Sequence, residues 1–198
     1  MKKTKEDALL RDIVTPSGTR GKIMDLVLIA LFAVIIALCS WLSVPLAVPF
    51  TMQTFGVFLA IGLLGGRRGT LAVLVYLLLG AVGLPVFAGF SSGIGVMLGS
   101  TGGYLVGFVF IALVYWLVTK LLGRHTWSMV FGMVLGLLIC YAFGTIWFMA
   151  VYARQTGPVG AGTALAWCVL PFLVPDLMKM ALALILAKKL PRYVPVFH

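Results

Sequence analysis

Downstream of Asp25 the chain carries a single acidic residue, Asp176, and three positions later comes Lys179, the one basic residue deep inside a long apolar stretch. Residues at i and i+3 share a helix face, so both charges point the same way. At a bilayer centre either group alone costs about 2.5–3.5 kcal/mol on insertion scales. Counting back from Lys188 at about 1.5 Å per residue puts Lys179 about 13 Å and Asp176 about 18 Å from the inner boundary. That is mid-membrane, where transporters commonly hold their substrates. The pair either ties the last helix to its neighbours or meets a polar ligand. Two apolar residues would tie helices at lower cost, which favours the ligand. Pro171 and Pro175 precede the pair, and a proline removes a backbone donor and clashes with the carbonyl four residues back. A kink or unwinding is predicted around residues 173–175, with freed carbonyls facing the same cavity as Asp176.

A second concentration of signal is PVFAGFSSGIGVMLGSTGG, residues 85–103, with six glycines, no charge and the hydroxyls of Ser91, Ser92, Ser100 and Thr101. Glycine permits close approach of backbone to a bound molecule, so this outer connection suits a lid that folds back better than a loop lying in water. A third is VPFTMQTF, residues 48–55, where Gln53 enters an apolar stretch. Its amide serves either as a hydrogen-bonding link between helices or as a ligand contact. Tyr104 follows the glycine-rich loop and either stacks on a ligand ring or faces lipid headgroups.

The elements that must position these residues are membrane helices. Of 198 residues, 62% are hydrophobic and only 10% charged, against about 45–50% apolar and about 25% charged in soluble domains. The formal net charge is +10, but the charges punctuate long apolar runs instead of forming a basic face, so a nucleic-acid partner is not expected. Residues 1–22 form a polar, cytoplasmic tail, and 23–198 a single transmembrane domain. Apolar length predicts six helices: 23–44, 51–65, 69–84, 101–122, 127–152 and 163–187. The run from Ile23 to Val44 is too long for a cleaved signal, and 51–65 and 69–84 are short for upright spans. With both termini cytoplasmic, the tail, Arg67, Arg68, Lys120, Arg124, Lys188, Lys189 and Arg192 all fall inside, leaving Arg154 outside, as the positive-inside bias requires.

Trp41, Trp127 and Tyr152 fall near span ends as interfacial anchors. Gly62/Gly66, Gly103/Gly107 and Gly132/Gly136, spaced four apart, let helix backbones approach closely, and Ala30, Ala33 and Ala37 form a small-residue stripe on the first helix. Cys39, Cys140 and Cys168 have no metal-ligand or disulfide spacing, so no metal or cofactor is expected. His125 and His198 have no neighbouring acid or nucleophile to make a catalytic set. No G-x-x-x-x-G-K-[ST] occurs, so the chain has no visible means of hydrolysing ATP.

Residues 48–108, VPFTMQTFGVFLAIGLLGGRRGTLAVLVYLLLGAVGLPVFAGFSSGIGVMLGSTGGYLVGF, together with Asp176-Leu-Met-Lys179, resemble the BioY family, the biotin-binding S components of energy-coupling-factor (ECF) transporters. The resemblance covers essentially all of the chain after the tail. It implies an all-α, S-component-like protein of the bacterial cell membrane that is not an enzyme. Such a protein captures external biotin and delivers it through a transmembrane coupling protein driven by two ATPase subunits. It also implies a docking role for Ala30, Ala33 and Ala37. Biotin's ureido ring would meet Asp176 through an N–H and Lys179 through its carbonyl. Gln53, Phe87, Phe90 and Tyr104 would join them in the pocket, with Ser91, Ser92 and backbone N–H groups around Gly89–Gly93 holding the valerate carboxylate. A lipid-modifying membrane enzyme, or a stand-alone carrier that needs no ATPase, are the competing readings.

Overall fold

The structure, a computed structural model, describes residues 19–45 and 48–190. Most of the expected cytoplasmic tail, and the C-terminal segment with Arg192 and His198, lie outside the described residues. Helix α1 (Thr19–Trp41) starts ahead of the expected boundary at Ile23 and runs through an apolar stretch free of proline. A small hairpin follows, β1 (Ser43–Val44) antiparallel to β2 (Phe50–Thr51), with Ser43 opposite Thr51 and Val44 opposite Phe50. Strands of two residues are too short to show an alternating pattern in the sequence.

The two helices that the sequence predicts at 51–65 and 69–84 are the two arms of α2 (Gln53–Ala81), divided by a reversal at Gly65. Gly65 has φ 79° and ψ 174°, a backbone conformation open to glycine and strained for residues with a Cβ. Reversal follows from the contacts: Gln53 Nε2 donates to Tyr76 Oη at 2.5 Å, whereas the same separation along a straight helix would be about 35 Å. Beside the turn, Arg124 donates to the carbonyls of Gly62 and, at 3.1 Å, Leu63. Those are carbonyls that a helix end leaves without an intrahelical partner.

A 3-10 turn (Ala88–Phe90) and the short α3 (Ile94–Leu98) lead to α4 (Gly102–Leu122) and α5 (Thr126–Gln155). Two of the three predicted glycine pairs, Gly103/Gly107 and Gly132/Gly136, operate between these two helices. A Cβ on Gly136 would lie 2.8 Å from Ile111 Cα, and one on Gly107 2.5 Å from Cys140 Sγ, so the backbones meet where a side chain would hold them apart. The last span is α6 (Ala161–Cys168) followed by α7 (Leu170–Lys189). The break falls at Val169 (φ −124°, ψ −54°), not at the predicted residues 173–175. Pro171 occupies the first turn of α7, where its missing N–H would have had no helical partner, and Pro175 is accommodated inside the helix.

Five helical stretches among the described residues are long and apolar enough to cross a membrane: Gly21–Trp41, Gln53–Ala81, Gly102–Leu122, Thr126–Gln155 and Ala161–Lys189. Lys22, Arg67, Arg68, Lys120 and Arg124 surround one groove, and the close approach of Gly62 to Ala187 brings the end of α7 to the same side. All these cations therefore gather at one end of the bundle. Trp41, whose Nε1 donates to Pro85 O at 2.9 Å, and the 82–101 connection occupy the opposite end.

Candidate functional site

Asp176 and Lys179 are 3% and 6% exposed and form an ion pair of 2.8 Å between Oδ1 and Nζ. Every donor of the ammonium is used: Nζ also donates to Thr51 O at 2.7 Å and to Thr54 Oγ1 at 3.3 Å. The carboxylate accepts from Thr54 Oγ1 at 2.8 Å on Oδ1 and from Tyr141 Oη at 2.7 Å on Oδ2. The Phe50 ring lies 4.1 Å from Nζ, within cation–π range. The β-hairpin supplies Phe50 and Thr51, the start of α2 supplies Thr54, α5 supplies Tyr141, and α7 carries the pair.

This cluster forms one wall of a cavity of about 130 Å³. Of the predicted residues, Asp176, Lys179, Gln53, Phe87, Ser91 and Tyr104 line it. Gln53 faces the cavity, and its amide accepts from Thr51 Oγ1 at 2.9 Å and donates to Tyr76. Tyr104 is hydrogen-bonded to Thr145 at 2.9 Å across α4 and α5. The far wall is apolar, including Leu105, Phe108, Leu137 and Phe172. A few converging polar groups in an otherwise apolar cleft is the usual build of a small-molecule site.

Part of the glycine-rich connection lines the cavity, through Phe87, Ala88, Ser91, Val96 and Thr101. Phe87, 1% exposed, packs its ring where a Cβ on Gly80 would otherwise sit and meets Tyr76 edge-on at 5.6 Å. Ser40 Oγ donates to Val86 O at 2.5 Å, fixing the segment to α1. Three predicted residues lie elsewhere. Phe90 has φ 59°, is 62% exposed and stacks on Trp41 at 4.9 Å, because Phe87 already fills the inward position. Ser92 and Gly93 are off the cavity wall, and the Gly93 N–H is spent on Gly80 O at 2.7 Å. On α1, Ala33 and Ala37 are 0% and 4% exposed. They serve internal packing, with Ile36 between them closing on Gly56, and offer no outward surface; Ala30 alone of the stripe is exposed.

The model of the BioY family matches residues 8–196. The chain belongs to the BioY family. A biotin transporter BioY from Thermotoga maritima is 40% identical over 169 residues, covering 85% of this chain and 96% of the relative. A probable biotin transporter BioY from Pyrococcus horikoshii is 40% identical over 170 residues, covering 85% and 97%. The crystal structure of an S component for biotin from an ECF-type ABC transporter superposes with a TM-score of 0.78 at 26% identity, covering 88% of this chain and 94% of that one. Residue pattern and fold thus lead to the same family.

In this BioY chain Thr51, Thr54 and Tyr141 join the site without a sequence signal that marks them, although Thr51 and Thr54 stand inside the VPFTMQTF motif. Thr54 lies 122 positions from its partner Asp176, and Tyr141 lies 35. The one available signal is a hydroxyl in an apolar stretch, shared with several residues that only bond their own helix, such as Thr119.

Proposed function

We infer that the chain is the biotin-binding membrane subunit, or S component, of an ATP-driven ECF importer. It captures external biotin and hands it to a transmembrane coupling protein energised by two ATPase subunits. The observation that carries this reading is the ion pair set on the wall of a mainly apolar cavity in a BioY-family chain. A carboxylate has room for about four accepted bonds, and Asp176 receives three, which leaves one position for a ureido N–H. On Lys179 the longest bond, 3.3 Å to Thr54, is the one a ureido carbonyl would replace. Phe87, Phe108 and Tyr104 supply surfaces for the fused rings and aliphatic tail, and the Ser91 hydroxyl would turn from Ala88 O, to which it donates at 2.7 Å, to the carboxylate.

The protein is multi-pass, and the course of the chain supports six crossings with both termini cytoplasmic. The arms of α2 on either side of Gly65 count separately, and the cation-rich end faces the cytoplasm as the positive-inside bias demands. Equilibrium binding of radiolabelled biotin to the purified chain, without ATP and in competition with other vitamins, tests the reading. Saturable binding that other vitamins do not displace is expected. Absence of binding, or equal displacement by unrelated vitamins, overturns it. Uptake in cells lacking the coupling subunits would assign the chain to a stand-alone carrier instead.

A further inference from the structure

At the end of the bundle away from the cavity, α1, the turn at Gly65 and the end of α4 enclose an open groove of about 840 Å³. Its rim carries Lys22, Arg67, Arg68, Lys120 and Arg124 against one carboxylate, Asp25. Asp25 is paired with Arg68 at 2.8 Å, and Arg124 is turned onto the carbonyls of Gly62 and Leu63. The other described carboxylate, Asp176, is buried in the distant cavity, so Lys22, Arg67 and Lys120 have no acid to pair with among the described residues.

A second pattern joins the first. On three different helical segments, each of these cations has an exposed apolar residue four positions further into the span. Leu26 follows Lys22, Leu71 follows Arg67, and Trp116 precedes Lys120, with exposures of 67%, 41% and 36%. Residues four apart share a helix face, so a layer of positive charge sits directly over a layer of apolar side chains, and both line the one groove. A soluble anion would need only the first layer. A phospholipid needs both.

We propose that this groove is a binding site for one anionic phospholipid, with Lys22, Arg67 and Lys120 around the phosphate and Trp116, Leu26 and Leu71 along the glycerol and upper acyl chains. The site lies at the membrane boundary, where each basic residue adds to the attraction for anionic lipid. It is independent of the biotin reading and sits at the opposite end of the molecule.

The test uses the full chain in phosphatidylcholine bilayers doped with dibromo-phosphatidylglycerol or dibromo-phosphatidylcholine. Quenching of Trp116, isolated by subtracting the Trp116→Phe variant, reports occupancy of the groove itself. Phosphatidylglycerol is expected to quench at about tenfold lower mole fraction or less than phosphatidylcholine. Arg67→Gln and Lys120→Gln should each weaken that preference about fivefold and together abolish it, whereas Arg67→Lys with Lys120→Arg should retain it. Equal quenching by the two lipids in the unmodified chain, or an undiminished preference in the double glutamine variant, overturns the proposal. Full displacement by millimolar glycerol phosphate would assign the groove to a soluble anion and overturn it as well. So would loss of coupling-protein binding in the glutamine variant with its lipid preference unchanged, which would assign the cations to a protein surface.

Discussion

Replacing Lys179 by methionine removes the ammonium that neutralises Asp176 and leaves a carboxylate 3% exposed with only the hydroxyls of Thr54 and Tyr141 for company. Breaking a buried ion pair by deleting one partner costs about 3–5 kcal/mol, because the survivor remains charged without its counter-ion. Adding Asp176→Asn removes that charge; its amide oxygen accepts from one of the two hydroxyls and its NH2 donates to the other, since a hydroxyl also accepts. The double variant should therefore recover most of the loss and unfold within a few degrees of the unmodified protein. Biotin binding should behave oppositely. Each hydrogen bond to a charged group contributes about 1.5–3 kcal/mol, so losing both weakens affinity roughly 10²- to 10⁴-fold. Thermal unfolding in detergent and calorimetric biotin titration on the two single variants and the double give both quantities. A stable double variant that binds biotin within a few-fold of the original would show that the pair only clasps helices, and would refute the reasoning.

Other expectations follow from individual contacts. Tyr141→Phe takes one hydrogen bond from Asp176 Oδ2 and should lower stability by about 1.5–3 kcal/mol, read as a fall in unfolding temperature. Gly65→Ala places a Cβ at φ 79°; it should destabilise by more than about 1 kcal/mol, the most that the same exchange gains where the backbone suits alanine, seen in the same unfolding scan. Phe87→Ala empties the notch at Gly80 and should cost about 3–5 kcal/mol. Because Phe87 also lines the cavity, biotin should dissociate faster from this variant in a filter-binding chase.

The parts of this molecule legible in its sequence are those where a residue type is rare in its surroundings. A carboxylate and an ammonium three apart in an apolar stretch have few structural explanations, and both reached the cavity wall. The glycine pairs on α4 and α5 likewise foretold close backbone approach. Positions whose role depends on distant partners were harder. Phe87 and Phe90 are indistinguishable by composition, and a left-handed backbone at Gly89 and Phe90 decides which faces inward. Ala33 and Ala37 are small whichever way they point, and the packing of α2 against α1 buried them. Pro171 and Pro175 announced a break, but the proline tolerated in a first turn moved it upstream to Val169.

The central claim is that a lone carboxylate and a lone ammonium are kept deep in the bundle to be completed by a polar guest. A density map of the biotin-bound protein tests it most directly. The account predicts a ureido nitrogen within about 2.7–3.2 Å of an Asp176 oxygen, with Lys179 Nζ turned from Thr54 Oγ1 to the ureido carbonyl. Biotin seated away from α7, with the Asp176–Lys179–Thr54–Tyr141 bonds unchanged, would contradict it.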